Sequence, residues 1–430
     1  MNLQERYDSV LKESLYHGVH KSGLKVYVLP KKGYSKSYAM FATKYGSIDN
    51  QFVVPGEQEV TSVPDGIAHF LEHKLFEEEE GNVFDRFSRL GASANAYTSF
   101  NITAYLFSCT NHFYDNLNIL LDFVQNPYFT DESVQKEQGI IGQEIRMYDD
   151  NPNWRVFFNF LAALYHNLPV KIDIAGTIES IGRINKDILY KCYNTFYHPS
   201  NMILFATGDI EPEKVAEYVG NSIKAVEPYK EEIGRIYPEE PHSIAQKKVE
   251  QNLSVSIPLF QAGFKDTDIG YGGKKLLKKD ITTQILLQMI MGSSTPLYQS
   301  LYEQGLINNS FEFDYTAEKE YGFTVFGGES PDPERVEQEI KNEINRLLNT
   351  GLDRTEFNRI KKVNLGRFLR MFNSVESIAN NFISTLFKDI DLFDYIDTYH
   401  SITFEDVEKR FIEHFKPDNM VLSVIRPFEQ

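Results

Sequence analysis

The sequence predicts an α+β fold built from two similar halves, and three observations support this prediction. The chain has 430 residues, of which 42 % are hydrophobic and 24 % charged, as expected for a folded chain of two domains or one doubled unit. A connector with three prolines and many charges, residues 226–245, divides the chain. The same order of strand and helix patterns occurs on both sides of it, which indicates an internal duplication.

The first predicted domain covers residues 1–225. Apolar alternation predicts strands, and apolar spacing of three and four residues predicts helices. The order is strand Leu24–Leu29, strand Tyr38–Thr43, a helix from about 65, strand Tyr97–Ser108, and helices from about 112 and 131.

The second predicted domain covers residues 246–430 and repeats that order. Its elements are strand patterns across Asn252–Phe264, a helix over Ile281–Met291, a strand pair over Phe311–Gly327, and helices from about 332 and 353. Runs of strands separated by paired helices predict antiparallel sheets covered by helices on one face.

Charge and cysteine content exclude several classes of protein. The 61 acidic and 44 basic residues give a net charge of −17, which disfavours nucleic acid and anionic lipid as partners. Cys109 and Cys192 are too few for a disulfide framework. No stretch approaches the apolar length of a membrane span, and the first twenty residues contain no export signal, so we expect a cytoplasmic protein.

One short segment combines residues that can bind a metal. In SVPDGIAHFLEHKLF, residues 62–76, Ser62 and Asp65 around a proline predict a helix start. On this helix His69, Glu72 and His73 share one face. The apolar residues on the opposite face are expected to be buried; they are Ile67, Phe70, Leu71 and Leu75.

This HxxEH pattern is found among zinc peptidases. Two imidazoles one helical turn apart can bind one zinc ion, and a glutamate beside the second can act on its water. The alternative is a solvated helix face that carries two histidines and no metal.

A third ligand is available downstream. The stretch TDESVQKEQGIIGQEIRMY, residues 130–148, has a helical pattern in which Glu137 and Glu144 lie two turns apart and face the same way. Glu144 would complete a His, His, Glu set, and Glu137 could hydrogen-bond a ligand or assist the water. Taken without the upstream motif, two such glutamates are more typical of an exposed helix.

Together these segments resemble the pitrilysin family of inverzincin zinc metallopeptidases, which includes insulin-degrading enzyme and the mitochondrial processing peptidase. The resemblance rests on HFLEH at 69–73, GASANAYTSFNITAY at 91–105, EQGIIGQE at 137–144, IDIAGTIESI at 172–181 and YHPSNM at 197–202. It covers nearly the whole chain and is strongest to the half-length bacterial YmfH-like branch. It implies the fold of the mitochondrial processing peptidase, with the chain as one half of a clamshell.

The resemblance also implies roles for individual residues. His69, His73 and Glu144 would bind one Zn²⁺ per chain, Glu72 would be the general base, and Glu137 a supporting catalytic carboxylate. The pair Asn95–Ala96 matches the edge strand that binds extended peptide in relatives, although from the residues alone Asn95 would be an ordinary turn or strand-entry residue.

One departure from the family pattern concerns the second half. Relatives with a complete site carry an Arg and, six or seven residues later, a Tyr before the strand pair. The matching stretch here, LYQSLYEQGLINNS at 297–310, has Tyr302 and Asn308 instead. We therefore expect a dimer in which a related second chain supplies the Arg/Tyr pair.

The predicted function is that of a zinc-dependent endopeptidase that cleaves peptides or small unfolded polypeptides inside a chamber formed with a second chain. The alternative is a non-catalytic scaffold or peptide-binding subunit of a dimeric family complex. The complete set of His69, His73, Glu144 and Glu72 favours the enzyme.

Overall fold

The computed structural model describes residues 1–79, 81–416 and 419–428. The chain folds into two compact units. The first comprises Met1–Ile145, Ile172–Tyr237 and Met371–Phe387, and the second comprises Arg146–Lys171, Pro238–Arg370 and Lys388–Gln430. In the described part of the chain, no helix is long and apolar enough to cross a membrane.

The first unit is built on a seven-stranded sheet with helices packed against it. Its strands are β1 Gln4–Asp8, β2 Glu13–Val19, β3 Lys25–Pro30, β4 Ser37–Thr43, β5 Gln51–Val53, β6 Val60–Ser62, β7 Glu77–Glu78, β8 Gly81–Asn82, β9 Ser93–Thr98, β10 Thr103–Cys109, β11 Met202–Gly208 and β12 Gly234–Arg235. The order in the large sheet is β1-β2-β3-β11-β4-β10-β9, while β12-β5-β6 and β7-β8 form two small sheets.

The helices of the first half lie between these strands. They are α1 Ile67–Leu75, α2 Val83–Arg89, α3 Phe113–Val124, α4 Asp131–Asp149, α5 Pro152–Leu164, α6 Ile178–Ile181, α7 Lys186–Phe196 and α8 Pro212–Ser222.

The second unit is built on a five-stranded sheet of order β13-β17-β14-β16-β15. Its strands are β13 Lys248–Asn252, β14 Leu259–Lys265, β15 Glu312–Ala317, β16 Gly322–Glu329 and β17 Met420–Arg426. The helices of the second half are α9 Gly273–Met291, α10 Pro296–Glu303, α11 Pro333–Thr350, α12 Arg354–Met371, α13 Val375–Leu386, α14 Tyr395–Ser401 and α15 Phe404–His414.

The two sheets share one topology, which confirms the predicted α+β fold of two homologous domains. In the first, β11 pairs parallel with β3 and antiparallel with β4, and β10 and β9 follow antiparallel. In the second, β17 pairs parallel with β13 and antiparallel with β14, and β16 and β15 follow antiparallel. The last strand of each sheet is therefore inserted in the same way, β11 between β3 and β4 and β17 between β13 and β14, as a duplication predicts.

Each compact unit takes most of its residues from one side of the predicted 226–245 connector and one helix from the other side. Helix α13 packs on β4 and β11 of the first unit, where Phe382 stacks on Phe205 at 4.8 Å between ring centroids. Helix α5 packs on β14 and β17 of the second unit, where Val156 is buried with Ile425. The boundary between the two compact units therefore does not coincide with the connector. Each sequence domain, 1–225 or 246–430, contributes one helix to the unit that is formed mainly by the other.

One predicted strand is wrong in its extent. The segment Tyr97–Ser108 is not one strand but the arms of a hairpin, β9 and β10. The chain turns at residues 99–102, where the Ser99 amide donates to the Ile102 carbonyl at 2.8 Å. The alternating side chains on either side of this turn hid the reversal, because the apolar period of two continues through it.

Candidate metal centre

Helix α1 begins later than the sequence predicts. Ser62 does not cap the helix, because it lies in strand β6, and the helix begins at Ile67 after Gly66. Gly66 has φ of 89°, and a Cβ atom there would lie 2.3 Å from the carbonyl oxygen of Ala175. Only glycine fits this left-handed position and close approach, so Gly66 sets where α1 starts.

The side chains of α1 are buried on more than the predicted apolar face. Phe70 and Leu71 are fully buried as expected, and His69 is only 9 % exposed. Lys74 is also fully buried and forms an ion pair with Glu77 at the start of β7. Among the candidates on this helix, His69 is therefore buried in the first unit, whereas Glu72 and His73 are partly buried.

Helix α4 brings two carboxylates to the histidines of α1. The Oε2 atom of Glu144 lies 3.8 Å from Nε2 of His69 and 3.5 Å from Nε2 of His73. Glu137, two turns earlier and buried, has Oε1 3.0 Å from Nδ1 of His73. The two carboxylates thus contact opposite edges of the His73 ring.

These donors fit a zinc ion. Ligand atoms of His69, His73 and Glu144 all lie within 4.8 Å of one another. Tetrahedral zinc with bonds of about 2.0–2.1 Å separates its ligand atoms by about 3.4 Å, close to the measured Nε2–Oε2 distances of 3.5 and 3.8 Å. Two imidazoles and one carboxylate leave the fourth position for water or substrate, as in catalytic zinc sites.

The protein environment shifts the pKa values of both histidines. Burial, and next the neighbouring His73, lower the pKa of His69 to about 3, so His69 is neutral at pH 7 and able to bind a metal. Burial alone would lower the pKa of His73. The hydrogen bond with Glu137 and the surrounding carboxylates outweigh burial and raise that pKa.

Glu72 directly precedes His73 on α1, and a side chain of strand β9 forms a hydrogen bond with its carboxylate. The hydroxyl of Thr98 donates a hydrogen bond to Oε2 of Glu72 at 2.9 Å. Burial raises the pKa of Glu72, and the Thr98 hydrogen bond opposes that effect in part. A carboxylate held in this way beside the metal ligands can accept a proton from water.

Asn95 and Ala96 lie in β9, at the edge of the seven-stranded sheet. Here a cavity of about 580 Å³ borders Glu72 and His73 on one side and Asn95 and Ala96 on the other. Its other walls include Phe76, Phe84 and Ile140. The unpaired edge of a strand and an adjoining cavity can together hold an extended peptide with one side chain in the cavity.

Sequence reasoning missed several residues of this region. Thr98, Phe76 and Phe84 were not selected, although Thr98 follows the Asn95–Ala96 pair by two residues. The stacked rings of Phe76 and Phe84, 4.3 Å between centroids, carried no sequence signal beyond ordinary aromatic packing. The ion pair of Lys74 with Glu77 could have been suggested by its i, i+3 spacing.

The two residues that the sequence analysis matches to the Arg/Tyr positions, Tyr302 and Asn308, lie in the second unit. Tyr302, on α10, is 49 % exposed and stacks on Tyr298. Asn308 follows the helix and donates to Oε2 of Glu329 at 2.9 Å.

Comparison with known proteins identifies relatives over the whole chain. Residues 57–178 match the family Insulinase (Peptidase family M16), and residues 183–364 match Peptidase M16 inactive domain. The zinc protease YmfH of Bacillus subtilis (strain 168) is 48 % identical over 423 residues, which are 97 % of each chain.

Solved structures agree with this assignment. A crystal structure described as an M16-like peptidase from Alicyclobacillus acidocaldarius has a TM-score of 0.92 and 38 % identity, with 99 % of both chains covered. Pitrilysin shares the fold, with a TM-score of 0.77 at 17 % identity; all of this chain matches 47 % of the pitrilysin chain. The chain therefore belongs to Peptidase family M16, among relatives that are named zinc proteases.

Proposed function

We propose that this chain is a zinc-dependent endopeptidase that cleaves peptides or small unfolded polypeptides. One observation carries the proposal: the ligand atoms of His69, His73 and Glu144 converge within 4.8 Å of one another, and Glu72 lies beside them on the cavity wall. The ligand set has room for one zinc ion per chain.

The proposed chemistry divides between the ion and the protein. When bound, zinc lowers the pKa of water and polarises the scissile carbonyl. Glu72 accepts a proton from the attacking water at a carboxylate oxygen and delivers it to the leaving amine. Thr98 fixes the orientation of that carboxylate through Oε2, and Glu137 fixes the ring of His73 through Nδ1.

The substrate is proposed to lie extended along β9. Main-chain groups of Asn95 and Ala96, at the free edge of the sheet, would pair with the peptide backbone. Backbone pairing is independent of side chains, so the sequence preference of cleavage should be loose and be set mainly by the side chain in the cavity lined by Phe76, Phe84 and Ile140.

A second chain is part of the proposal. Tyr302 and Asn308 stand where relatives with a complete site carry Arg and Tyr, and so a related partner chain would supply that pair in a closed chamber in the cytoplasm. Mixing the chain with its partner should raise turnover over either chain alone. Equal turnover with and without the partner would contradict this part of the proposal.

The second candidate is a non-catalytic scaffold or peptide-binding subunit. The match of residues 183–364 to Peptidase M16 inactive domain is the observation in its favour. However, that match does not include the HxxEH motif at residues 69–73, and a non-catalytic chain would have no need of Glu72 beside three converging ligands.

The deciding experiment measures turnover of a quenched, sequence-diverse peptide pool by the purified chain. If the chain is a peptidase, a zinc chelator should stop cleavage and added zinc should restore it. Glu72→Gln should abolish cleavage while the zinc content is unchanged. If the folded, zinc-containing chain and its mixture with the partner both fail to cleave the pool, the scaffold is the better account.

A further inference from the structure

The second unit repeats the framework of the metal centre without its ligands. Helix α9 follows β14 and precedes the hairpin of β15 and β16, as α1 follows β4 and precedes the hairpin of β9 and β10. Helix α12 is the second helix after β16, as α4 is the second helix after β10. The residues at the junction of α9 and α12 therefore occupy the place of the metal ligands.

Two glutamines replace the two histidines. Gln284 and Gln288 lie four residues apart on α9, the spacing of His69 and His73 on α1. The side-chain amide of Gln284 donates to Oδ1 of Asp314 on β15 at 2.8 Å, so this end of α9 contacts the edge strand of the sheet. The usual zinc ligands are Cys, His, Asp and Glu, so two carboxamides do not favour a zinc site here.

An arginine replaces the third ligand. Nη1 of Arg367, on α12, donates to Oε1 of Gln288 at 3.0 Å. This contact between α12 and α9 corresponds to that of Glu144 on α4 with His73 on α1, at 3.5 Å. The exchange of a carboxylate for a guanidinium inverts the charge of the site, from one that attracts a cation to one that attracts an anion.

The rest of α12 has the same sign of charge. Its Lys and Arg residues are Arg354, Arg359, Lys361, Lys362, Arg367 and Arg370, whereas Glu356 is its one acidic residue. This helix therefore carries a net positive charge in a chain whose net charge is −17.

Arg367 and Arg370 are the cations of this helix that are best placed to bind a ligand. They lie one turn apart on the exposed surface of α12. Among the residues that the structure describes, no carboxylate lies within 4.0 Å of either guanidinium. By contrast, Arg354 and Arg359 are already paired, with Glu405 and Glu356 respectively.

We propose that Gln288, Arg367 and Arg370 form a metal-free site that binds a carboxylate of a peptide. The carbonyl oxygen of Gln288 holds the guanidinium of Arg367, which leaves the Gln288 amide and the remaining guanidinium N–H groups as donors. An arginine held in a fixed plane binds a carboxylate through two parallel hydrogen bonds. The carboxylate can be an acidic side chain or the peptide C-terminus.

A peptide is favoured over other anions by the neighbouring strand. Gln284, one turn from Gln288, contacts Asp314 in the edge strand β15, whose free edge can pair with an extended backbone. Long polyanions such as nucleic acid are disfavoured by the charge of −17. The choice of a peptide as ligand rests on the proposed function, while the preference for a carboxylate does not.

The test measures peptide binding without turnover. The full chain carrying Glu72→Gln, in chelator, is titrated into three short peptides with an uncharged fluorophore, and anisotropy gives each Kd. One peptide is neutral and amidated, the second has a free C-terminal carboxylate, and the third is amidated with an internal glutamate. The site predicts about tenfold tighter binding of at least one carboxylate peptide than of the neutral peptide.

Variants locate the effect. Arg367→Gln with Arg370→Gln should abolish the preference for the carboxylate and leave the Kd of the neutral peptide unchanged, which also shows that the chain is folded. Arg367→Lys keeps the charge but not the fork of donors, and should retain only part of the preference. The matched control is a chain that loses two positive charges elsewhere. It carries Arg346→Gln and Arg335→Gln, on the exposed surface of α11.

Equal Kd values for the three peptides, or a preference that survives in the Arg367→Gln, Arg370→Gln chain, would overturn the proposal. The carboxylate peptide that loses affinity in the double variant shows whether the site binds a C-terminal carboxylate or an acidic side chain. Cleavage of the neutral amidated peptide by the zinc-loaded chain with Glu72 intact tests the peptidase separately.

Discussion

The Oε1 atom of Glu137 lies 3.0 Å from Nδ1 of His73, on the edge of the ring opposite the one that faces Glu144. This relationship gives Glu137 a role distinct from that of a ligand. The Glu137 carboxylate accepts a hydrogen bond from Nδ1–H of His73 and so fixes the plane of the ring. Nε2 of the same ring is then left to bind a metal.

The first prediction concerns this hydrogen bond. Glu137→Ala should lower the zinc affinity by about 10- to 100-fold, because the His73 ring loses its orienting acceptor. Glu137→Gln should lower the zinc affinity less, since its amide oxygen can still accept a hydrogen bond from Nδ1–H of His73. Competition with a chromophoric chelator measures the affinity. Lys136→Ala, at the preceding position on α4, is the control, and an equal loss in this control would argue against a specific role for Glu137.

The second prediction concerns Thr98. Thr98→Val removes the hydroxyl that donates to Glu72 at 2.9 Å, and should lower turnover by about 5-fold, the equivalent of one hydrogen bond of about 1 kcal/mol. The zinc content should stay the same, because Thr98 does not contact a metal ligand. Ser93→Ala, at the exposed start of the same strand, should leave turnover unchanged. Loss of zinc in Thr98→Val would show instead that the strand positions the whole centre.

The third prediction concerns a buried ion pair in the second unit. Glu240 accepts hydrogen bonds from the Lys265 ammonium and from the backbone amides of His166 and Leu168, and the side chains of Glu240 and Lys265 are only 7 % and 4 % exposed. Glu240→Gln should lower the free energy of unfolding by about 3 kcal/mol, because it leaves the Lys265 charge buried without a counter-ion.

Urea unfolding measures this loss, with Glu239→Gln as the control, since the neighbouring side chain is exposed. Similar stability of the two variants would mean that the backbone amides, rather than the charge of Lys265, determine the role of Glu240.

The fourth prediction concerns pH. Burial, and next the charge of Arg410, lower the pKa of His414 to about 3, and its Nε2 lies 3.2 Å from Oγ1 of Thr324. The unfolded chain protonates this histidine near pH 6.5, but the folded chain does not. Below pH 6.5 the unfolded state therefore binds more protons, and stability falls as the pH falls.

Between pH 7 and pH 5 His414 should account for about 2 kcal/mol of the lost stability. In His414→Gln the fall over this range should be smaller by that amount, whatever the absolute stability of the variant. His400→Gln, at an exposed position on α14, should leave the fall unchanged. An unchanged fall in His414→Gln would assign the pH dependence to other groups.

Much of the fold could be predicted because helices and strands of this chain have strong apolar periods. The predicted helices from about 112, 131, 332 and 353 correspond to α3, α4, α11 and α12, which begin at Phe113, Asp131, Pro333 and Arg354. The start of α1 was missed because it depends on the close approach of Gly66 to Ala175, residues far apart in sequence. The sequence also does not show that α5 packs on the sheet of the second unit and α13 on the sheet of the first. The apolar face of an amphipathic helix does not reveal which sheet it covers.

The candidate ligands could be named because the spacing of His69 and His73 requires one helix face. The contacts of Thr98 with Glu72, and of Arg367 with Gln288, could not be named. Each joins two elements whose distance in space is set by the sheet and not by a motif. The burial of Lys74 was also missed, because a lysine without exposed surface is rare and its i, i+3 spacing to Glu77 suggests an ion pair but not burial.

We propose that His69, His73 and Glu144 bind one zinc ion and that Glu72 then acts as the base in peptide cleavage. A zinc titration of the metal-free chain, with its partner chain present, tests this proposal by recording bound metal and peptide turnover together. Turnover should rise with zinc and saturate at one equivalent per chain, while Glu72→Gln should bind the same equivalent without turnover. Full zinc occupancy without turnover in the unaltered chain, or equal turnover in Glu72→Gln, would contradict it.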